Sequence, residues 1–336
     1  MRTWHRVALG IATISVAAMT TAVTPVSAHE REHTFAVIGD IPYSSAQLAA
    51  FPAHISQINA DPAVQWVDHL GDIKSGSTVC SDAYFQTIKS DFDQFRAPFV
   101  YTVGDNEWTD CHRPNNGAYN PLERLAEIRQ VFFANPGHTL GQHSARVESQ
   151  ARLGVPENVR WTRSDVAFSA MDIVGSNNSL LPWPGNTVPT PEQAAEVASR
   201  TRAILTQVHQ TFAQAREEHN RAVVLLIQAD MFDPTVPNPS FADYSGFQPI
   251  VAAIAEESAA FHGPVYLFNG DSHIYNNDQP LAAGSSWLTF YGIDKPVANL
   301  NRITVNGSGN AFEYLRVTVH EEGPQVLTWE HVPFTS

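Results

Sequence analysis

The stretch Thr34-Phe35-Ala36-Val37-Ile38-Gly39-Asp40 decides the reading of this chain, because its ending recurs. Val67-Asp68-His69-Leu70 runs into Gly71-Asp72, Phe99-Val100-Tyr101-Thr102-Val103 into Gly104-Asp105, and Val265-Tyr266-Leu267-Phe268-Asn269 into Gly270-Asp271. With 19 Gly and 17 Asp in 336 residues, random order gives about one Gly-Asp pair. The chain has four, each closing an apolar run. Runs of this kind predict buried strands with helices between them. The Gly is expected to permit a tight turn, and the Asp to project from the carboxyl edge of the sheet, where open α/β sheets bind ligands. Several Asp side chains gathered at one edge repel one another unless a cation neutralises them.

The intervening segments fit this order. Helices are predicted over residues 45–59, 82–96, 121–133 and 191–219; the third opens on Pro121 and the fourth on Thr190-Pro191-Glu192. Further strands are predicted at 165–174, 222–228, 301–306, 312–319 and 325–331, the last three as a meander closing a second sheet. Residues 134–164 and 231–248, rich in Gly, Pro and Asn, read as loops. There is no internal repeat and no linker, so residues 29–336 are expected to form one domain.

Composition narrows the function. The hydrophobic share is 43% and the charged share 16%, which excludes a disordered chain or a coiled coil. Lys and Arg number 20 against 34 Asp and Glu, a formal charge of −14. That balance argues against nucleic-acid binding and leaves carboxylates free for metal. Arg2 and Arg6, the apolar stretch from Val7 to about Val23, and Val26-Ser27-Ala28 read as a secretory signal peptide over residues 1–28. The protein is then secreted or periplasmic, with no membrane span after cleavage. Cys80 and Cys111, the only two cysteines, are expected to pair in that oxidising compartment.

Five blocks in order resemble the calcineurin-like metallophosphoesterase superfamily: Gly39-Asp40-Ile41-Pro42, Gly71-Asp72-Ile73-Lys74, Gly104-Asp105-Asn106-Glu107, Ile227-Gln228-Ala229-Asp230 and Gly270-Asp271-Ser272-His273. The version of Gly104 to Arg113 is similar to that of a divergent secreted bacterial branch. The resemblance covers roughly residues 34–320. It implies an α/β fold of two mixed β-sheets packed as a sandwich and flanked by helices in four layers, with a dinuclear metal centre at the strand ends. Asp40, Asp72 and His273 match the family's ligands directly. Pro42 stands where the family has its first His, Asp105 where it has Asn, Asn106 where it has the His that often protonates the leaving group, Gln228 where it has a His, and Asp271 where it has the first His of the last block.

The resemblance implies that Asp72 bridges two ions, that Asp40 and His273 hold the first, and that Asp105 and Asp271 hold the second, with Gln228 or Asp230 as a further ligand. Two such ions clamp a phosphoryl group and activate a hydroxide as nucleophile. The implied reaction is hydrolysis of a small-molecule phosphate mono- or diester. Replacing nitrogen by oxygen donors favours Mn²⁺, Mg²⁺ or Ca²⁺ over Zn²⁺, with Fe admitted. An acidic pocket needs a cation to receive an anionic substrate, and Lys74 and Arg113 are the candidates. Asn106 cannot donate a proton as imidazolium does, so His112 or His69 would replace the missing acid. Trp183, Asn177 and Asn178 are candidates for the rim. The competing reading is a non-catalytic metal- or ligand-binding protein on a degenerate version of the same fold.

Overall fold

The computed structural model describes residues 1, 2, 4 and 32–335. Twelve strands lie among them: β1 (His33–Ile38), β2 (Trp66–His69), β3 (Phe99–Tyr101), β4 (Glu148–Gln150), β5 (Val155–Arg163), β6 (Val166–Ala170), β7 (Ala222–Leu226), β8 (Val265–Asn269), β9 (Asn276–Asp278), β10 (Leu300–Thr304), β11 (Glu313–Val319) and β12 (Leu327–Pro333). They form a five-stranded sheet in the order β12-β11-β1-β2-β3 and a seven-stranded sheet in the order β4-β5-β6-β7-β8-β10-β9. Both are mixed: β1, β2 and β3 run parallel, as do β6, β7, β8 and β10, while the remaining pairings are antiparallel.

The period of two along each strand dictates the layers. From β1, Phe35 and Val37 meet Phe168, Val224, Leu226 and Phe268 between the two sheets. Ala36 and Ile38 face the other way, onto Phe51, Ile55, Phe85, Ile88, Leu125 and Ile128 of the helices Ser45–Ala60, Asp82–Phe92 and Pro121–Phe132. On the second sheet, Val223, Leu225, Val265 and Leu267 pack outward on Ile204, Val208 and Phe212 of the helix Pro191–Glu217 and on Ile250 and Ile254 of the helix Gln248–Ala260. Strands apolar on both faces need cover on both, and the result is the expected sandwich in four layers. The helix starts are fixed locally: the Ser44, Ser81, Asn120 and Thr190 side chains accept from first-turn amides, and Thr190 and Gln193 form a capping box.

Three expectations need correction. The last three strands are not one meander. β10 extends the second sheet, but β11 and β12 pair beside β1 in the first. The chain crosses between sheets at Gly307, where a Cβ would lie 2.3 Å from Asp40 Cβ. Residues 134–164 are not all loop, since they hold β4 and β5. Buried Glu157, paired with Arg129, and buried Asn158, bonded to Gln150, interrupt the apolar alternation that marks a strand. The helix Gln248–Ala260 was not expected at all. The signal peptide expected over residues 1–28 lies outside the described residues apart from 1, 2 and 4. Among the described residues no helix is long and apolar enough to cross a membrane. Cys80 and Cys111 form the expected disulfide, with Cα atoms 5.9 Å apart.

Candidate metal centre

The four Gly-Asp turns converge. Asp40, Asp72 and His273 offer donor atoms within 4.8 Å of one another, and so do Asp72, Asp105 and Asp271. Asp72 belongs to both groups, so two donor clusters share one carboxylate. Each Asp leaves the carboxyl end of a strand: Asp40 after β1, Asp72 after β2, Asp105 after β3 and Asp271 after β8. The first three come from adjacent strands of one sheet and the fourth from the other, so the site sits where the two carboxyl edges meet.

The glycines serve this geometry differently from the expected tight turn. Of the four, only Gly71 has a positive φ, +90°. The left-handed residues are those of the donor clusters: Asp40 at 51°, Asp72 at 58°, Asp271 at 71° and His273 at 64°. Each costs about 1 kcal/mol or more. Gly104 and Gly270 are needed for close approach. A Cβ on Gly104 would lie 2.2 Å from Asp72 Oδ1, and one on Gly270 2.3 Å from Asp40 Oδ2. Gly104 makes room for the carboxylate of the adjacent strand end, and Gly270 for one from the other sheet.

Asp72 is gripped from the third block. The Asn106 amide N–H donates to its Oδ1 at 3.2 Å and the Asn106 Nδ2 to its Oδ2 at 2.7 Å. The Asp72 amide donates to Glu107 Oε1 at 3.1 Å, an oxygen that also accepts from Gly104 N at 2.6 Å and Tyr101 Oη at 2.7 Å. Lys74 does not line the cleft. It is fully buried, and its Nζ donates to the carbonyls of Asn106 at 2.6 Å and Ser75 at 3.0 Å, bracing the third block from beneath. Burial lowers it to about 8. His69 is likewise internal: its Nε2 bonds the Ile41 carbonyl at 2.8 Å, its Nδ1 accepts from Gly71 N at 3.2 Å, and burial lowers it to about 4. It ties the first two blocks together rather than supplying protons.

Gln228 and Asp230 separate clearly. Gln228 reaches Asp105 Oδ1 with its Nε2 at 3.3 Å and accepts from Gly175 N at 2.7 Å. Asp230 is committed elsewhere, to Arg302 Nη1 at 2.6 Å and Ser272 Oγ at 2.8 Å. Its amide donates to Asp271 Oδ2 at 3.2 Å, so it holds a carboxylate of the cluster in place.

Over Asp105 lies a turn that the sequence marks only through Asn177 and Asn178, which are buried in it and do not form a rim. Ser176, Asn177, Asn178 and Ser179 all have positive φ, from 51° to 67°, making a left-handed turn without glycine. Its neighbours hold every residue: Ser176 Oγ, with one proton to share, lies 3.1 Å from Asp105 Oδ2 and 2.9 Å from Asp110 Oδ1, Asn177 bonds the 242–246 segment, Asn178 meets buried Arg200, and Ser179 Oγ lies 2.6 Å from Thr109 Oγ1. Asp110 in turn anchors Arg113 at 2.6 Å, with the Arg113 side chain partly exposed. His112 is bonded to the Thr109 carbonyl at 2.5 Å, and its ring lies 6.3 Å from that of Trp183. Burial, with Arg113 adding to it, lowers its pKa. No bond joins it to the carboxylate cluster.

Sequence reasoning also missed Tyr43. Its hydroxyl donates to Asp72 Oδ2, accepts from Asn106 Nδ2 at 2.8 Å, and lies 3.1 Å from His273 Nε2. The signal was present one residue beyond Pro42, three after Asp40.

The charges do not balance within the protein. Asp40, Asp72 and Asp105 are buried, and burial followed by mutual repulsion pushes Asp72 and Asp271 well above the carboxylate range. Burial also raises Asp105. His273 moves up despite its burial, because Asp40 at 3.3 Å holds its proton. Tyr43 is pushed well above its ordinary value, by burial first and then by Asp72 and Asp40. Four carboxylates and one imidazole with so little compensating positive charge fit divalent cations, and the oxygen-rich donor set suits Mn²⁺, Mg²⁺ or Ca²⁺.

No family model and no curated protein matches the chain. Among solved structures it is similar to GAP50, the anchor in the inner membrane complex of Plasmodium, at 9% identity over 91% of this chain and 90% of that one, with a TM-score of 0.44. It is similar to the purple acid phosphatase PPD1 from yellow lupin seeds at 12% identity over 90% of this chain and 54% of the other, TM-score 0.47. For the NAD nucleotidase of Haemophilus influenzae the values are 12%, 89%, 55% and 0.43. The chain thus spans about half the length of the latter two. Scores below 0.5 at such identities assign no activity to this chain.

Proposed function

We propose that the chain is an exported, metal-dependent phosphoric ester hydrolase with a two-ion centre. The observation that carries this reading is the membership of Asp72 in two donor clusters, Asp40–Asp72–His273 and Asp72–Asp105–Asp271. Asp40 and His273 would hold the first ion and Asp105 and Asp271 the second, with Asp72 shared and Gln228 beside the second. Two ions so placed supply charge neutralisation for a phosphoryl group and a nucleophile drawn from water at neutral pH. The protein's own contribution is positional. Asn106 and Glu107 fix Asp72, and Ser176 fixes Asp105. Arg113, anchored by Asp110, presents the mouth cation that receives phosphoryl oxygens. A small-molecule phosphate ester fits such a centre, and both cysteines are bonded, leaving no thiol nucleophile among them. The disulfide agrees with an oxidising compartment outside the cytosol.

The test is metal analysis of the purified protein together with a screen of phosphate mono- and diesters under Mn²⁺, Mg²⁺, Ca²⁺ and Zn²⁺. Turnover that depends on one of these ions and stops with chelator is expected. Protein that binds ions and hydrolyses none of the esters would instead be a cation-binding protein on this fold.

A further inference from the structure

We infer that the groove between the 234–239 segment and the helix Ser286–Tyr291 receives the leaving group of the substrate, and that this group is a planar aromatic one, neutral or cationic. This rests on the hydrolase reading of the neighbouring metal centre. The groove encloses about 450 Å³, a size suited to a small organic molecule. Pro234, Val236 and Pro237 line one side, Trp287 and Phe290 the other, with Asp233 among them. The Trp287 and Phe290 rings meet edge-on at 5.0 Å, and Tyr244 backs both, at 5.9 Å and 5.7 Å. Trp287 and Phe290 stay partly exposed, so their rings offer flat apolar surface on which a planar group can stack. The prolines of the facing segment have their φ fixed in advance, so the slot stands ready before a ligand arrives.

Two chains of contacts tie this groove to the carboxylates. In the first, the Asp230 amide donates to Asp271 Oδ2 at 3.2 Å, and Asp230 Oδ1 accepts from Phe232 N at 3.1 Å. The Phe232 ring lies 5.8 Å from that of Trp287, and Tyr291 Oη donates to the Met231 carbonyl at 2.5 Å. The segment that holds Asp271 thus also seats the aromatic wall. In the second, Asn177 Nδ2 donates to the Ala242 carbonyl at 2.9 Å, and Asn177 Oδ1 accepts from Gly246 N at 2.7 Å. This joins the Tyr244 segment to the turn whose Ser176 touches Asp105. Asp105 and Asp271 belong to one donor cluster, and the groove adjoins it. Charge narrows the occupant further. Asp233 is the one charged residue lining the groove among the described residues, and no Lys or Arg accompanies it. Its carboxylate accepts from an N–H or ammonium on the aromatic part and repels a second acid.

The probes are naphthylethyl phosphate and ethyl phosphate, both primary alkyl monoesters. Water splits each into its alcohol and inorganic phosphate, so the bond broken is the same and only the remote group differs. Full-length, metal-loaded parent should show kcat/KM at least about 10-fold higher for the naphthylethyl ester. Trp287→Ala should lower that ratio about 10-fold, with Tm measured beside it because Trp287 also packs on Phe232. Asp233→Asn is the second arm, and it keeps an oxygen for the Thr235 amide. The parent should prefer aminomethylphenylethyl phosphate to carboxyphenylethyl phosphate by about 10-fold or more, and Asp233→Asn should lose most of that preference. Quenching of tryptophan fluorescence by naphthylethanol, the product, reports binding without turnover and should weaken in Phe290→Ala. Equal kcat/KM for the naphthylethyl and ethyl esters in the parent, or an unchanged ratio in folded Trp287→Ala, overturns the groove assignment while the hydrolase reading stands. A protein that hydrolyses none of the esters overturns the hydrolase reading. The aromatic site then stands if naphthylethanol binds the parent more tightly than Phe290→Ala, and falls if it does not.

Discussion

Gly104 is packed so closely against Asp72 that a Cβ on it would lie 2.2 Å from the Asp72 Oδ1 and 2.4 Å from the Asp72 amide nitrogen. The second of these is backbone and cannot swing aside. Gly104→Ala should therefore displace the shared carboxylate, costing about 1–3 kcal/mol of stability and both bound ions. Gly309→Ala has no heavy atom near its Cβ and is the neutral comparison. Urea unfolding with metal analysis of the folded fraction checks this. A Gly104→Ala protein with the parent's ion content would mean that the close approach does not shape the site.

Removing ligands should sort them by cluster. Asp72→Ala should abolish binding at both sites, because this carboxylate is common to the two groups. Asp271→Ala removes a donor from one group only, so one ion should remain. Metal stoichiometry after gel filtration separates the outcomes, and equal losses in the two variants would contradict a shared ligand.

Much of this site was legible in the sequence because strand ends repeat a local code. Asp40, Asp72, Asp105 and Asp271 each close an apolar run, and a two-residue signal survives without tertiary information. What stayed hidden depends on contacts between distant segments. Lys74 looked like a pocket cation from its place two residues after Asp72, yet its Nζ turns inward to the Asn106 carbonyl. Asp230 is turned away from the carboxylate cluster because buried Arg302, 72 residues on, claims it. The left-handed turn at Ser176–Ser179 carries no glycine to mark it, and its cost is met by the side chains that hold it in place. The strand Val155–Arg163 was disguised by Glu157 and Asn158, polar residues buried because they have partners.

The carboxylates predict a pH effect that metal should erase. Burial, the largest cause in each, raises Glu107 from 4.5 to about 7 and Asp110 from 3.8 to about 7. Between the ordinary and raised values the folded metal-free protein binds more protons than the unfolded chain. Its stability is therefore fully present below about pH 4 and falls as pH rises toward about 7. Urea midpoints of chelator-treated protein should be lower near pH 8 than near pH 5. Saturating metal should flatten or reverse the trend, since bound cations favour the ionised forms. Stability of the metal-free protein that rises through this window would show that these carboxyls are ionised without help.

Arg113 offers the sharpest test of substrate charge. Of the two cations singled out, Lys74 is buried under Asn106, while Arg113 keeps its side chain 41% exposed with Asp110 Oδ2 at 2.6 Å. Its Nη1 lies 3.5 Å from where a Cβ on Gly76 would stand, and the Asn106 side chain borders the same point at 2.9 Å, which places the guanidinium next to the residue that grips Asp72. A guanidinium fixed by one carboxylate can turn its remaining donors to a phosphoryl group. Arg113→Ala should raise KM for phosphate esters about 10- to 100-fold, the range for a lost hydrogen bond to a charged group. Inhibition by inorganic phosphate should weaken by the same factor, and bound metal should be unchanged. Arg113→Lys should recover only part of the affinity, because an ammonium cannot bond Asp110 and a phosphoryl oxygen with the same planar fork. Asp110→Asn adds a second arm: it keeps the guanidinium but removes its anchor, so KM should rise less than in Arg113→Ala. If Arg113→Ala leaves both KM and phosphate inhibition at the parent's values, the cation at the mouth does not receive the substrate.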